Sequence, residues 1–326
     1  MALFGKQKKK LADQYLQVLE SLYHEDYPQA LEVLKDSVSK YTDQPVPYLW
    51  LGRLLFEKGE INRAEIIYRN LALRPRLSKK ISSAAWRAAA QCSRRLEHFE
   101  NQIEALGNYI RISPKDTLAA AEYFYAKAKQ ALSHQNRDGA TNYLYESISA
   151  DKRFGKAFIL LGDLLEEESP ERGLRIWRRL LKARPDLIQT LQGRFRDAYK
   201  TIEKPDRFEK FLKQLCSRSP VAGFPYLVLA RYYLEIGETE EAKQAFLEAK
   251  TRPATKQIAL AEINKINIDR WDQKGALELS DELLNSLNEP GFLWRCNNCS
   301  NMKTVPFLEH CDICENWVEI STVQGK

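Results

Sequence analysis

Histidine is scarce in this chain, at four of 326 residues, and glycine is sparse, at 14. His24, His98, His134 and His310 lie far apart and form no H-E-x-x-H metal helix, while the glycines build neither a phosphate-cradling loop nor a G-x-S-x-G nucleophile elbow. These absences argue against an enzyme. No apolar run is long enough for a membrane span or a secretory leader, and the start is short and basic, Met1 to Phe4 followed by Lys6, Lys8, Lys9 and Lys10. A cytoplasmic chain is expected, with at most peripheral contact at the inner face of the cytoplasmic membrane. Only 13 prolines accompany 44% hydrophobic and 29% charged residues, which excludes a low-complexity polymer and leaves ample material for a core. The net charge of +6 suits acidic protein segments, anionic lipid or nucleic acid and is too small to choose among them.

Cysteine is limited to six residues, and four of them crowd between Cys296 and Cys314. A secreted disulfide framework would spread its cysteines through the fold, so the cluster reads as a metal site in a reducing compartment. Cys92 and Cys216 stand alone in helical patterns and are expected to be buried small apolar residues. The cluster has the form C-x2-C-x11-C-x2-C: Cys296 and Cys299, then Cys311 and Cys314. Each C-x-x-C knuckle turns two sulfurs toward one centre, and four soft thiolates suit one Zn or Fe ion while excluding hard Mg and Ca. A complete protein ligand set leaves no open position for water, which favours a structural ion and makes His310 unnecessary. Residues 290–326 are too few to bury a core of their own, and the ion would supply the missing stability. Ser300 and Glu315 stand where rubredoxin knuckles and zinc ribbons usually carry glycine, which weighs against electron transfer more than against structure.

From residue 13 to 289 the apolar residues recur at helical spacing, interrupted by short polar turns. Tyr48, Leu51, Gly52 and Leu55 are followed by a turn at Lys58-Gly59-Glu60, then Ala64, Tyr68 and a stop at Pro75. The same sketch returns from Phe158 to Pro185 and from Tyr226 to Pro253. Small residues on the first helix facing small ones on the second (Gly52 with Ala64, Ala128 with Ala140, Ala230 with Ala242) let two helices approach closely. The marker series Gly52, Ala90, Ala128, Gly162 and Ala230 has steps of 38, 38, 34 and twice 34, with a degenerate unit at 186–220 in the last gap. Longer turns are expected to absorb the 38-residue steps, and residues 76–116 are expected to pack irregularly, because Gln102 answers Ala90. The pattern resembles the tetratricopeptide repeat. The expected fold is all-α: a basic N-terminal tail at 1–12, a superhelical tetratricopeptide-repeat solenoid of seven or eight hairpins at 13–289, and a four-cysteine rubredoxin-like or zinc-ribbon module at 290–326.

Such an array offers an extended surface for a peptide or protein. With tetratricopeptide geometry, the first-helix face would display Leu49, Arg53, Phe56, Arg87, Gln91, Arg94, Tyr125, Lys129 and Arg231, a basic and partly aromatic set suited to an acidic or carboxylate-ended segment. A second basic cluster, Arg172, Arg175, Arg178, Arg179, Lys182 and Arg184 around Trp177, is read as a solvated helix face, with phosphate contact as the alternative.

A helical array followed by this cysteine spacing and a terminal Trp317-containing strand resembles the lipopolysaccharide assembly protein B family over nearly the whole chain. The helix Leu11 to Leu22 ahead of Asp26-Tyr27-Pro28-Gln29-Ala30, and Ala150-Asp151-Lys152 ahead of Ile159 to Gly162, agree with it. The resemblance implies a non-enzymatic adaptor that limits lipopolysaccharide synthesis by presenting the lipid A pathway's deacetylase to a membrane AAA+ protease, with a rubredoxin-like module packed on the repeats. Members of that family open with a transmembrane helix, where this chain has Met1 to Lys10. Two alternatives are a zinc-ribbon nucleic-acid-binding protein and an iron rubredoxin-type redox carrier. Glu309, Asp312, Glu315 and Glu319 in the module would repel phosphate, so nucleic acid is not the expected partner.

Overall fold

Helix starts in this chain are marked by short polar side chains that accept the otherwise unpaired first amides. Asp26, Ser78, Asp116 and Asn136 each take a hydrogen bond from the backbone N–H three residues on, at 2.8–3.4 Å. The computed structural model describes residues 2–218, 222–269, 273–287, 294–295 and 302–303. It divides into two compact units, residues 1–154 and 155–326.

In the first unit, consecutive helices pair as hairpins: α1 (Ala2–Tyr23) with α2 (Tyr27–Lys40), α3 (Pro45–Glu57) with α4 (Ile61–Ala72), α5 (Lys79–Arg95) with α6 (Phe99–Ile112), and α7 (Thr117–Ser133) with α8 (Arg137–Ala150). Each hairpin also packs on the next, through α2 on α3, α4 on α5 and α6 on α7. The second unit continues the pattern with α9 (Gly155–Glu166) and α10 (Pro170–Ala183), α11 (Ile188–Thr201) and α12 (Asp206–Arg218), α13 (Phe224–Glu235) and α14 (Thr239–Lys250), and α15 (Lys256–Asp269) and α16 (Gln273–Leu287). Two short strands follow, β1 (Trp294–Arg295) and β2 (Met302–Lys303), paired antiparallel with Trp294 opposite Lys303.

Six of the turns inside the hairpins share one device. A left-handed residue follows the first helix at Glu25, Gly59, Glu97, Gln135, Glu203 and Gly237. The next amide closes back five residues, as from Glu60 to the Leu55 carbonyl at 2.9 Å and from Glu238 to Tyr233 at 2.9 Å. This is the Schellman closure, which satisfies the last helical carbonyls and reverses the chain within three or four residues. Glycine occupies the left-handed position in two of the six turns, so glycine alone is an incomplete marker of the repeat.

Where a first helix carries glycine at the crossing, the vacant space holds an aromatic ring of the second helix. A Cβ on Gly52 would sit 2.7 Å from the Tyr68 ring, and one on Gly162 would sit 2.0 Å from Trp177 Nε1. Trp177 is fully buried, as are Ala64, Ala140 and Ala242 at the facing small positions. Gly162→Ala is therefore expected to lower unfolding stability by about 1–3 kcal/mol through overpacking. Gly193→Ala on the exposed face of α11, where a Cβ meets nothing within 4 Å, is expected to raise it by about 0.8–1 kcal/mol through helix propensity. Urea unfolding of the two variants beside the parent reads both signs.

Three expectations are corrected by the structure. Helix α1 begins at Ala2, so residues 2–12 are helical rather than a tail; their alanine, leucine and lysine residues are good helix formers. The 38-residue steps are absorbed in the first helices, because α5 and α7 have 17 residues where α3 has 13 and α9 and α13 have 12. Four or five extra residues amount to a little over one helical turn. Consequently α5 and α6 pack along one another regularly, with Gln102 buried between them.

The unit at 186–220 replaces small-residue packing with rings. Phe195 stacks on Phe211 at 4.7 Å between centroids and lies near Trp177, Tyr199 and Phe208 at 5.8–6.5 Å. Rings are thicker than alanine side chains, so α11 and α12 are the least closely apposed pair among the eight hairpins of the described residues.

Candidate functional site

The residues expected on the first-helix face lie on α3, α5, α7 and α13, and most of their charged groups already have partners in the fold. Arg53 pairs with Glu57 one turn along its own helix at 2.5 Å. Arg87 of α5 donates to the carboxylate of Glu122 on α7, and Arg94 reaches its other oxygen at 3.5 Å. Lys129 meets Glu97 at 2.9 Å, and Arg231 of α13 meets Glu262 of α15 at 3.1 Å. Among the uncharged members, Phe56 is buried beneath the Arg95 guanidinium, Tyr125 packs edge-on against Phe154, Leu49 accepts from the Tyr68 hydroxyl through its carbonyl, and Gln91 is half-buried.

These pairs form a system. First helices of adjacent hairpins are joined by Arg87–Glu122 in the first unit, and by Arg194–Asp163, Arg196–Glu235 and Arg231–Glu262 in the second. Second helices are joined by Arg69–Glu104 and Lys250–Glu282. Opposite charges thus recur about one repeat apart, 31 residues for Arg194–Asp163, 32 for Lys250–Glu282 and 35 for Arg87–Glu122. A scan for complementary charge at the repeat period would have found them. Exposed members contribute little, about 0–1 kcal/mol each. Arg87 and Glu122 differ, because their side chains are only 15% and 7% exposed. Burial pulls the Arg87 pKa down, but the Glu122 and Asp116 charges outweigh it and hold the guanidinium above its usual range.

A second buried carboxylate, Glu65 on α4, receives Ser93 Oγ at 2.6 Å and Asn101 Nδ2 at 3.0 Å, with His98 Nδ1 at 3.1 Å. Burial pushes this carboxyl up, yet these hydrogen bonds and the His98 charge prevail and leave it below the usual carboxylate range. A depressed folded-state pKa contributes stability above the unfolded value of about 4.3, and that stability is lost as pH falls through the folded value. The stability advantage of the parent over Glu65→Gln is therefore expected to shrink as pH drops from about 5 toward about 3. An advantage unchanged across that window would show that ionisation of Glu65 is not its source. Cys92, adjacent to this network, and Cys216 are both buried thiols pushed up to about 12, chiefly by burial, and are unreactive.

A basic concavity lies elsewhere. One face of α10 and one face of α12 enclose about 760 Å³. Helix α10 contributes Arg175, Arg178, Arg179 and Lys182; α12 contributes Arg207, Lys210 and Arg218; Glu171 is the one carboxylate on the lining. This excess of six positive charges equals the formal net charge of the whole chain, so the remaining basic and acidic residues balance. The α10 cluster read from sequence as a solvated face thus divides. Arg172 pairs with Glu168, and buried Arg184 pairs with Asp186, whereas the other four turn into the groove. Three cations on α12 were missed in the sequence reading, since only the ring-spaced α11–α12 hairpin sets them across from α10.

Cys296, Cys299, Cys311 and Cys314 lie outside the described residues. Four cysteine thiolates are a donor set whose chemistry fits Zn or Fe. Among the described residues no other cluster of His, Cys, Asp and Glu could hold a metal ion.

Residues 225–254, the hairpin α13–α14, match the tetratricopeptide repeat family model. No curated protein matches the chain. Among solved structures, a tetratricopeptide repeat protein from Parabacteroides merdae is similar at 17% identity and a TM-score of 0.46, over 78% of this chain and 98% of that one. MamA from Desulfovibrio magneticus RS-1 is similar at 15% identity and a TM-score of 0.43, over 53% of this chain and 94% of that one. A MamA RS-1 double mutant gives 15% identity and the same TM-score, over 53% and 93%. The hairpin α13–α14 thus matches the tetratricopeptide repeat, and the described residues as a whole form a succession of helical hairpins.

Proposed function

We propose that the protein is a non-enzymatic adaptor that holds protein partners on its helical repeats and carries a structural Zn or Fe ion in residues 290–326. The observation that carries this reading is the tetratricopeptide hairpin α13–α14 standing in a succession of like hairpins, an architecture whose exposed helix faces serve protein binding. The finer reading rests on the resemblance of the cysteine module and the repeats to the lipopolysaccharide assembly protein B family. In it, the partners are the lipid A pathway deacetylase and a membrane AAA+ protease, and the setting is the cytoplasm beside the membrane. No described helix is long and apolar enough to cross a membrane. Because the arginines of the first-helix face are largely neutralised by Glu57, Glu122 and Glu262, partner capture there would rely on shape and apolar contact more than on net charge.

A reconstituted degradation assay tests the finer reading. With purified deacetylase, protease and ATP, adding this chain is expected to shorten the half-life of the deacetylase about tenfold or more by raising the effective concentration of the substrate at the protease. An unchanged half-life at saturating adaptor would contradict it.

A further inference from the structure

We infer that the groove between α10 and α12 binds an anion carrying at least two phosphoryl groups. Its volume of about 760 Å³ is that of a small-ligand site rather than a flat docking face. Arg175, Arg178, Arg179 and Lys182 recur every three or four residues on α10, and Arg207, Lys210 and Arg218 share one face of α12, so each helix turns a charged stripe toward the same space. In this groove Arg175, Lys182, Lys210 and Arg218 form no ion pair among the described residues.

The guanidinium of Arg178 is fixed in place: it donates to the Tyr199 hydroxyl and lies over the Phe211 ring at 5.4 Å. Such a fork is oriented before any ligand arrives. Seven cations gathered around a single carboxylate repel one another, and an anion of high charge density relieves that repulsion. A phosphoryl group brings up to two charges and three acceptor oxygens at one point, whereas an acidic peptide spreads one charge per residue along about 3.3 Å of chain. Leu181, Phe211 and Leu215 line the same groove and can receive the apolar body attached to the phosphates. Two sources share this chemistry, a free polyphosphorylated molecule and a phospholipid headgroup.

The probe is inorganic tripolyphosphate, titrated calorimetrically into the full chain at low salt. The comparison is the triple variant Arg175→Gln, Lys182→Gln, Lys210→Gln, whose altered side chains are exposed and hold no ion pair. A second variant, Arg207→Gln with Arg218→Gln on α12, provides the same comparison should the first misfold by circular dichroism. Tripolyphosphate is expected to bind the parent about tenfold or more tighter than either variant and than a decaglutamate peptide binds the parent, with affinity falling as salt rises. Flotation with vesicles containing phosphatidylinositol 4,5-bisphosphate, lost in the variants and absent with phosphatidylcholine alone, would place the phosphates on a headgroup; tripolyphosphate binding without flotation would place them on a free molecule. Equal binding of tripolyphosphate by parent and folded variants would overturn the inference, as would decaglutamate binding as tightly as tripolyphosphate.

Discussion

Glu122→Gln is expected to destabilise the first unit by about 2–4 kcal/mol, because it removes the carboxylate charge facing Arg87 in a position where water cannot replace it. The Arg87 and Glu122 side chains are 15% and 7% exposed, and the two lie on adjacent first helices, α5 and α7. Arg94 shares the same carboxylate, so one substitution weakens two contacts between hairpins. Asp116 contributes to holding the Arg87 charge and keeps the loss below that of a wholly isolated ion. Glu57→Gln is the control: its pair with Arg53 joins side chains 45% and 48% exposed, and its loss should register within about 0.5 kcal/mol. Urea unfolding followed by circular dichroism reads both. Equal losses in the two variants would mean that burial does not set the strength of the pairs.

Removing the proposed ion is expected to have a larger and more local effect. Structural zinc contributes apparent free energies of about 10–16 kcal/mol at pH 7 in comparably small modules, so a module stripped of its ion should not remain folded. Cys296→Ser or treatment with a strong chelator is expected to abolish binding of one metal per chain and to make residues 290–326 sensitive to protease. The helical signal of α1–α16 should be nearly unchanged, because those helices carry their own buried side chains, from Leu34 and Leu55 to Trp177 and Phe246. The native ion is read from the same preparation: a colourless protein with bound zinc supports the structural role, and a red, reversibly reducible one supports the iron redox alternative. Protease resistance that survives complete metal removal would contradict the assignment of the ion as the source of the module's stability.

Helix pairing was legible because it rests on local chemistry. The turn at Lys58-Gly59-Glu60, the Asp26 cap and the buried alternation of Leu51 and Leu55 all act within one or two helical turns. The origin of the 38-residue steps was not legible in this way, since an added turn at the start of a helix and a longer loop leave the same spacing between markers. Nor was the state of the expected groove arginines. Whether Arg87 is open to a partner depends on Glu122, 35 residues away, and only the stacking of α5 against α7 brings them together. The cationic groove was half visible, as the run on α10. Its other wall required the stacked rings of Phe195 and Phe211, which hold α11 and α12 apart.

The adaptor reading stands most directly on simultaneous occupancy. Sedimentation velocity of the full chain with the purified lipid A pathway deacetylase and the soluble part of the AAA+ protease measures it. The account predicts a species containing all three proteins, formed at lower concentrations than either enzyme requires to bind the other alone. Binding of the two enzymes in mutual exclusion, or of neither, would contradict it.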